Sequence, residues 1–284
     1  MTALAGTCIE LWVESRGGSA AVNPVIGALL DELSAAGAKT IVRVPEREVI
    51  DVDDGGRDHA DLVLLKSAGA VAQSLAVSDE VAGVQFLNGA AATRRAHDKA
   101  ATVARLAAAD LPVPLTLLAT GGARLRSPMA TAGAFISKPV YGIHGRGVTV
   151  HEHFPTVLDE GPASLDDLSF VVDDGVRLVQ AKVGEEPDVK VYVADGRCFV
   201  AFKQFRSGSY ASDEVQPSVL PDDEIEMVHA VGEALDLRCF GVDLRRQDGQ
   251  TWIIDANPFP GYRGFPQAVP ALRAEIEQAL AAGG

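Results

Sequence analysis

Residues 240–266, FGVDLRRQDGQTWIIDANPFPGYRGFP, predict two strands joined by a tight turn. The dipeptide Asp248-Gly249 lies between apolar runs, and its glycine supplies the positive φ that such a hairpin turn requires. In the pairing that this turn implies, Asp243 and Asp255 lie near the same end of the hairpin, and Asn257 follows just beyond it. Two carboxylates and an amide oxygen form the all-oxygen site that Mg²⁺ prefers. We therefore predict a magnesium site here; the alternative is a surface hairpin with solvated acids.

Composition restricts the class of protein. The 284 residues suffice for two domains, or for three small lobes around a shared cleft. A hydrophobic content of 47% with 23% charged residues is typical of a soluble globular protein, and no apolar run is long enough for a membrane span. The net charge of −14 argues against nucleic acid or a membrane as partner. With three scattered cysteines and no signal peptide, we expect a cytoplasmic protein that acts on a small molecule. The sequence leaves a homo-oligomer open.

The first part of the chain alternates strands with a helix. Residues 8–13, 39–45 and 61–66 are strand-like, and residues 23–36 carry apolar side chains at helical spacing. This alternation predicts an α/β unit with a parallel sheet. Residues 88–109 then predict a turn and one long alanine-rich helix.

A glycine-rich turn forms a second cluster of functional residue types. Residues 134–150 predict a hairpin, and Lys138 precedes the tip, which has the pattern K-P-x-x-G-x-x-G-x-G. Glycines at such a tip let backbone N–H groups approach phosphate oxygens closely, and the lysine supplies a point charge. Arg146 in this tip either faces the phosphate or is solvated. We predict a phosphate-binding loop, with a plain flexible hairpin as the alternative.

These motifs together resemble those of the ATP-grasp enzymes. The spacing D-x(11)-D-x-N-P from Asp243 is similar to their closing metal motif, and Asp98-Lys99 followed by L-P-V-P-x-T resembles the opening of the RimK-type amino-acid ligases. The middle acid is Asp255, where those ligases have glutamate. The variant D-x-N-x-F-P-G-Y is closer to the inositol-phosphate kinases that share the fold.

The resemblance implies an ATP-grasp fold of the α/β class. A pre-ATP-grasp α/β domain is expected over residues 1–92, a small lobe with the glycine-rich phosphate loop over 93–180, and a C-terminal lobe with the metal site over 181–284. The nucleotide would lie between the two antiparallel-sheet lobes.

The resemblance also assigns roles to single residues. ATP and Mg²⁺, or Mn²⁺ in its place, are the implied cofactors. Lys99 and Lys138 would contact phosphates, residues around Gln180 the adenine ring, and Asp188 the ribose. The full ATP-binding set is Lys99, Lys138, Gly142, Gly145, Gly147, Gln180, Lys182, Val183, Asp188 and Lys190; the metal ligands are Asp243, Asp255 and Asn257; the basic residues at the reacting groups are Lys203, Arg206, Arg263 and Arg146.

The acceptor decides the reaction. In a carboxylate–amine ligase, a carboxylate takes the γ-phosphate and an amine then attacks the acyl phosphate. In a kinase, a hydroxyl or amine of a cyclitol or amino-acid-like acceptor takes it. The L-P-V-P-x-T opening favours the ligase, whereas the strand V-K-V-Y-V and the turn at 255–264 favour the kinase. Because the chain shows no obvious basic cluster for an inositol polyphosphate, we expect a ligase for an amino acid or another small acid. A nucleotide-binding module without catalysis is disfavoured, since the metal ligands are present.

Overall fold

The structure is a computed structural model. It describes residues 4–16, 19–20, 22–51, 60–120, 133–141, 147–152, 176–184, 188–203, 205–206, 209–210 and 216–283. These residues form three sheets of four or five strands and two two-stranded ribbons. Within the same residues, every helix is too short or too polar to cross a membrane.

The N-terminal part is a parallel sheet with helices, as predicted. Its elements are β1 (Cys8–Trp12), β2 (Ser15–Arg16), β3 (Ser19–Ala20), α1 (Pro24–Ala35), β4 (Lys39–Arg43), a 3₁₀ turn (Pro45–Arg47), β5 (Leu62–Leu65), α2 (Ala70–Val81) and β6 (Phe86–Leu87). The sheet order is β4-β1-β5-β6, and β2 and β3 form a ribbon of their own. The side chain of Asn23 accepts hydrogen bonds from the N–H groups of Val25 and Ile26, which caps α1 where its apolar face begins.

The prediction of a single long helix within residues 88–109 is wrong. The structure has two helices here, α3 (Ala90–His97) and α4 (Lys99–Ala108). Asp98 between them has an extended backbone, and its Oδ1 accepts hydrogen bonds from the N–H groups of Ala100 and Ala101, each at 2.9 Å. An aspartate in this geometry starts a new helix, because it satisfies N–H groups that have no intrahelical partner. Lys99 is consequently the first residue of α4.

The second sheet is antiparallel and small. It consists of β7 (Thr116–Thr120), β8 (Phe135–Pro139), β9 (Thr149–His151) and β10 (Val176–Ala181), in the order β7-β10-β8-β9. The predicted hairpin of β8 and β9 is confirmed, with Ser137 opposite Thr149. β10 and β8 are the two inner strands, and the four central residues of β10, Arg177 to Gln180, are all buried.

The third sheet contains the predicted metal hairpin and has the strand order β15-β12-β11-β16-β17. In chain order, the elements of this part are β11 (Asp188–Ala194), β12 (Arg197–Lys203), the ribbon β13 (Phe205–Arg206) and β14 (Ser209–Tyr210), β15 (Gln216–Ser218), α5 (Asp222–Leu235), β16 (Phe240–Gln247), β17 (Gln250–Pro258), a 3₁₀ turn (Pro266–Ala268) and α6 (Val269–Gly283).

The two faces of the third sheet differ in polarity, because side chains alternate along each strand. One face is apolar and packs in the same cluster as α5, with Val189, Val191, Val242 and Leu244 from the sheet against Val228, Val231 and Leu235 from the helix. The opposite face carries the polar residues of the predicted site. The buried face therefore fixes the register that brings those polar residues together.

One apolar core joins the first sheet to the last helix. Ile26, Leu29 and Leu33 of α1 are fully buried with Leu272 and Ile276 of α6. The same cluster contains Phe259, Tyr262 and Phe265, so the turn that follows β17 is part of it.

Asn88 links the N-terminal part to the start of β16. Its Oδ1 accepts hydrogen bonds from the N–H groups of Arg238, at 2.8 Å, and Cys239, at 2.9 Å. Its Nδ2 donates to the carbonyl oxygen of Cys239 at 2.7 Å. Because Asn88 is 2% exposed, these bonds are shielded from water and hold the two segments together.

Candidate active site

The hairpin of β16 and β17 places the two aspartates opposite each other. Asp248 and Gly249 in the turn have φ values of 53° and 78°, and the strands pair with Asp243 directly opposite Asp255. Lys190 on β11 lies opposite Asp243 on the other side. Directly opposed residues project to the same face of a sheet. Lys190, Asp243 and Asp255 therefore form one row on the polar face, which we call the acidic row.

Lysines neutralise both carboxylates of the acidic row. The Nζ of Lys99, at the start of α4, lies 2.7 Å from Oδ1 and 2.6 Å from Oδ2 of Asp255. Lys190 forms an ion pair with Asp243. Although burial opposes it, the charges of Lys99 and Lys138 hold the pKa of Asp255 below its usual value. In the same way the pKa of Lys190 is raised by Asp243 in spite of burial.

Lys138 joins the second sheet to the third. Its Nζ donates to Oε1 of Gln180 at 3.0 Å and to the carbonyl oxygen of Ile254 at 3.3 Å. Gln180 in turn donates to Oγ1 of Thr116 at 3.0 Å. Burial lowers the pKa of Lys138 to about 8. The structure thus brings Lys138 beside the acidic row, and it joins Gln180 to Lys138.

The position of Lys99 is set by its backbone. Its N–H donates to the carbonyl oxygen of Val140, just after β8, at 3.1 Å. The hydroxyl of Tyr141 donates to Oδ2 of Asp98 at 3.0 Å. The start of α4 is therefore fastened to the end of the lysine-bearing strand, and the side chain of Lys99 points to Asp255.

Asp188 lies at the far end of the polar face and has a partner that sequence reasoning missed. It is 3% exposed and forms an ion pair with Arg245 of β16. The alternation along β16 was a usable signal, since Arg245 is two residues from Asp243 and projects to the same face. The segment after β10 is fixed nearby, because the N–H of Gly184 donates to Oε1 of Gln247 at 2.7 Å. Lys182 and Val183 lie on this segment and are half-buried.

The remaining predicted residues are less closely grouped. Arg263 lies on the turn after β17 and is exposed. Lys203 ends β12 opposite Asp188, and Arg206 lies in β13. Gly147 has a φ of 68° and its carbonyl oxygen accepts from Arg177 at 2.8 Å. Gly142, Gly145 and Arg146 lie outside the described residues.

Two further residues border the acidic row. His97 ends α3, and burial together with the charges of Lys99 and Lys66 lowers its pKa to about 4, so the imidazole is neutral at pH 7. Tyr192 follows Lys190 on the same face, with its ring centroid 6.0 Å from the Lys190 Nζ. Tyr192 is also packed close to Gly241, whose added Cβ would lie 3.3 Å from Cδ1 of the ring.

The side chains of Asp243, Asp255 and Asn257 together fit a divalent cation. Asp243 and Asp255 offer carboxylate oxygens on one face, and the Nδ2 of Asn257 is 3.5 Å from Oδ2 of Asp255, so its amide lies beside that carboxylate. Among the described residues no group of three or more histidine, cysteine, aspartate or glutamate side chains could hold a metal. A cation here would therefore have two carboxylates, one amide oxygen and oxygens from water or phosphate, which suits Mg²⁺.

Comparison with known proteins gives one curated relative and many solved structures. No protein-family model matches the chain. A probable alpha-L-glutamate ligase of Trichodesmium erythraeum (strain IMS101) is 26% identical over 199 residues, which are 66% of this chain. The match spans 64% of that relative, which is less than two thirds of its length.

The solved structures resemble the chain over almost its whole length. The D-cycloserine synthetase DcsG has a TM-score of 0.70 at 18% identity, covering 96% of this chain and 99% of that one. A RimK domain protein ATP-grasp from Sphaerobacter thermophilus DSM 20745 has a TM-score of 0.67 at 17% identity, covering 97% and 98%. The predicted ATP-grasp fold is therefore confirmed.

Proposed function

Because the chain has the ATP-grasp fold, we propose that it is an ATP-dependent carboxylate–amine ligase. The acid substrate is an amino acid or another small acid, and the reaction passes through an acyl phosphate. The observation that carries this proposal is the acidic row with the lysines around it. Lys99, Lys138 and Lys190 surround two aspartates. In a chain of net charge −14, this local excess of positive charge suits a polyphosphate that arrives with a divalent cation.

Each residue of the site has a role in this proposal. Asp243, Asp255 and Asn257 would hold Mg²⁺, which when bound would neutralise negative charge on the polyphosphate. Lys99, Lys138 and Lys190 would bind the nucleotide, with Lys99 and Lys138 at its phosphate oxygens. Positioning and electrostatic stabilisation account for most of phosphoryl-transfer catalysis, so the chain needs no nucleophile of its own.

Two observations favour the ligase over the kinase. The curated relative and DcsG are named as a ligase and a synthetase. The turn that resembles the kinases is also accounted for by packing. Phe259 and Tyr262 are at most 1% exposed, and the Tyr262 hydroxyl donates to the carbonyl oxygen of Val193 at 2.6 Å. Packing alone therefore explains why these two aromatic residues stand in the turn, and no contact with a cyclitol is required.

The reaction itself can separate the two functions. We expect orthophosphate release from ATP to require both a carboxylic acid and an amine, tested over a panel of amino acids. Hydroxylamine should replace the amine and trap the acyl phosphate as a hydroxamate. The variant Asp255→Asn, which keeps the side-chain shape, serves as the inactive control. A stable phosphate ester or phosphoramidate formed from one acceptor, detected by ³¹P NMR, would establish the kinase instead.

A further inference from the structure

The ammonium of Lys99 occupies the carboxylate that the metal needs. It contacts both oxygens of Asp255, at 2.7 and 2.6 Å, so it takes up the carboxylate that a cation would have to use. The side chain of Lys99 is 11% exposed and that of Asp255 is 23% exposed, so water screens this pair only in part.

Lys99 comes from a different part of the chain than the acidic row. Its backbone N–H is bonded to Val140, and Asp98 before it caps α4. The backbone is thus fixed, whereas the four-carbon side chain can rotate. Lys190, by contrast, belongs to the sheet and faces Asp243 directly in the register. Lys99 is the lysine that contacts Asp255, and rotation of its side chain alone would let it exchange one anionic partner for another.

A divalent cation and the Lys99 ammonium cannot both stay close to Asp255. Two like charges within about 4 Å repel strongly where water is partly excluded. Polyphosphate bound next to Lys138 would give the ammonium a second anionic partner and so release Asp255. We propose that Lys99 is an internal counter-ion that keeps the metal site closed until a nucleotide binds, so that nucleotide and metal bind with positive coupling. This inference rests on the proposed metal site.

Coupling of this kind is reciprocal. If the nucleotide raises the affinity for the metal by some factor, the metal raises the affinity for the nucleotide by the same factor. The residue responsible can be found because its removal reduces the coupling by strengthening metal binding in the absence of nucleotide. Removal of a residue that only binds phosphate would not change the affinity for the metal in the absence of nucleotide.

The test is Mn²⁺ binding followed by EPR, with and without ADP, on the whole protein. In Lys99→Met we expect the affinity for Mn²⁺ without nucleotide to rise by about tenfold, within the usual range of coupling factors. Lys66→Met is the matched control. It removes the same charge near the site, but Lys66 donates to the carbonyl oxygen of Phe259, so Asp255 stays blocked and the affinity should change little.

The outcomes distinguish the inference from the function on which it rests. If Lys99→Met binds Mn²⁺ no more tightly than Lys66→Met does, although both bind it with ADP, the role given to Lys99 is overturned. If neither binds Mn²⁺ even with ADP, the proposed metal site itself fails. The gain in Lys99→Met should vanish in the double variant with Asp255→Asn. Lys99→Gln, checked for folding by circular dichroism, repeats the test with a second side chain.

Discussion

The Nζ of Lys138 lies 3.3 Å from the carbonyl oxygen of Ile254, the residue before Asp255, and so connects two separate sheets. Lys138→Met should weaken the binding of ADP by ~1.5–3 kcal/mol, the range for a hydrogen bond to a charged group. Isothermal titration calorimetry measures this directly. Lys39→Met, on the exposed edge strand β4, controls for the loss of one positive charge. Unchanged affinity in Lys138→Met would remove Lys138 from the site.

The low pKa of Lys138 predicts that nucleotide binding depends on pH. Burial lowers this pKa to about 8, so the side chain is charged below pH 8 and neutral above it. Since only the charged form attracts phosphate, the affinity for ADP should fall as the pH rises through 8. Lys138→Arg should bind with little change between pH 7 and 9, because an arginine stays protonated there. An equal decrease in both proteins would assign the effect to another group.

Asn257 and Tyr262 should separate activity from stability. The Asn257 side chain has one long contact to Asp255, so Asn257→Ala should abolish turnover while changing the free energy of unfolding by less than about 0.5 kcal/mol. Tyr262→Phe removes a buried hydroxyl that donates to the carbonyl oxygen of Val193 and should cost about 0.5–1.5 kcal/mol of stability, the usual net contribution of one hydrogen bond, while turnover is retained. Urea unfolding measures the stability of each variant, and an activity assay below the melting temperature measures its turnover. A large loss of stability in Asn257→Ala would make that residue structural.

Alanine substitution at two helical glycines should change the stability of the protein in opposite directions. A Cβ on Gly27 in α1 meets nothing within 4 Å, so Gly27→Ala should stabilise the protein by about 0.5–1 kcal/mol. A Cβ on Gly232 in α5 would lie 2.6 Å from Cε1 of Phe240. Gly232→Ala should therefore destabilise the protein by about 1–3 kcal/mol. Chemical denaturation of both variants tests the packing of α5 on β16, and stabilisation by both would contradict it.

His97 predicts a loss of stability in mild acid. Its pKa is about 4 in the folded protein and 6.5 when exposed, so between these values the unfolded chain binds a proton that the folded chain does not. Stability then falls as the pH drops from 6.5 towards 4. At about 1.4 kcal/mol for each pKa unit, the loss is on the order of 3 kcal/mol. His97→Asn should lack this loss. The free energies of unfolding of both proteins at pH 7 and pH 4.5 measure the difference. An equal loss in both proteins would show that His97 titrates normally.

The sequence was sufficient for the parts of the site that depend on local patterns. Asp248-Gly249 and the alternation around it predicted the hairpin, and the strand pairing then put Asp243 opposite Asp255. The hairpin itself depends on residues less than 20 positions apart, for which the turn residues are a sufficient signal. The turn alone would place Asp243 opposite Ile254, and a register shift between Asp243 and Leu244 brings Asp255 opposite Asp243 instead.

The rest of the site depends on contacts between distant segments. Lys190 meets Asp243 because β11 and β16 pair, and Arg245 meets Asp188 across 57 residues. The break between α3 and α4 was hidden because the alanine-rich pattern continues through Asp98, and only the capping hydrogen bonds distinguish a new start from a continuous helix. Predicting one helix also concealed that Lys99 begins the second one and points to Asp255.

The core between α1 and α6 has a consequence for synthesis of the chain. Ile26, Leu29 and Leu33 are buried against Leu272 and Ile276, which are translated more than two hundred residues later. While a ribosome is still making the middle of the protein, the part of the α1 apolar face that α6 covers stays exposed to water and to other nascent chains. A product truncated before α6 would keep that face uncovered, and we expect it to aggregate or to be retained by chaperones.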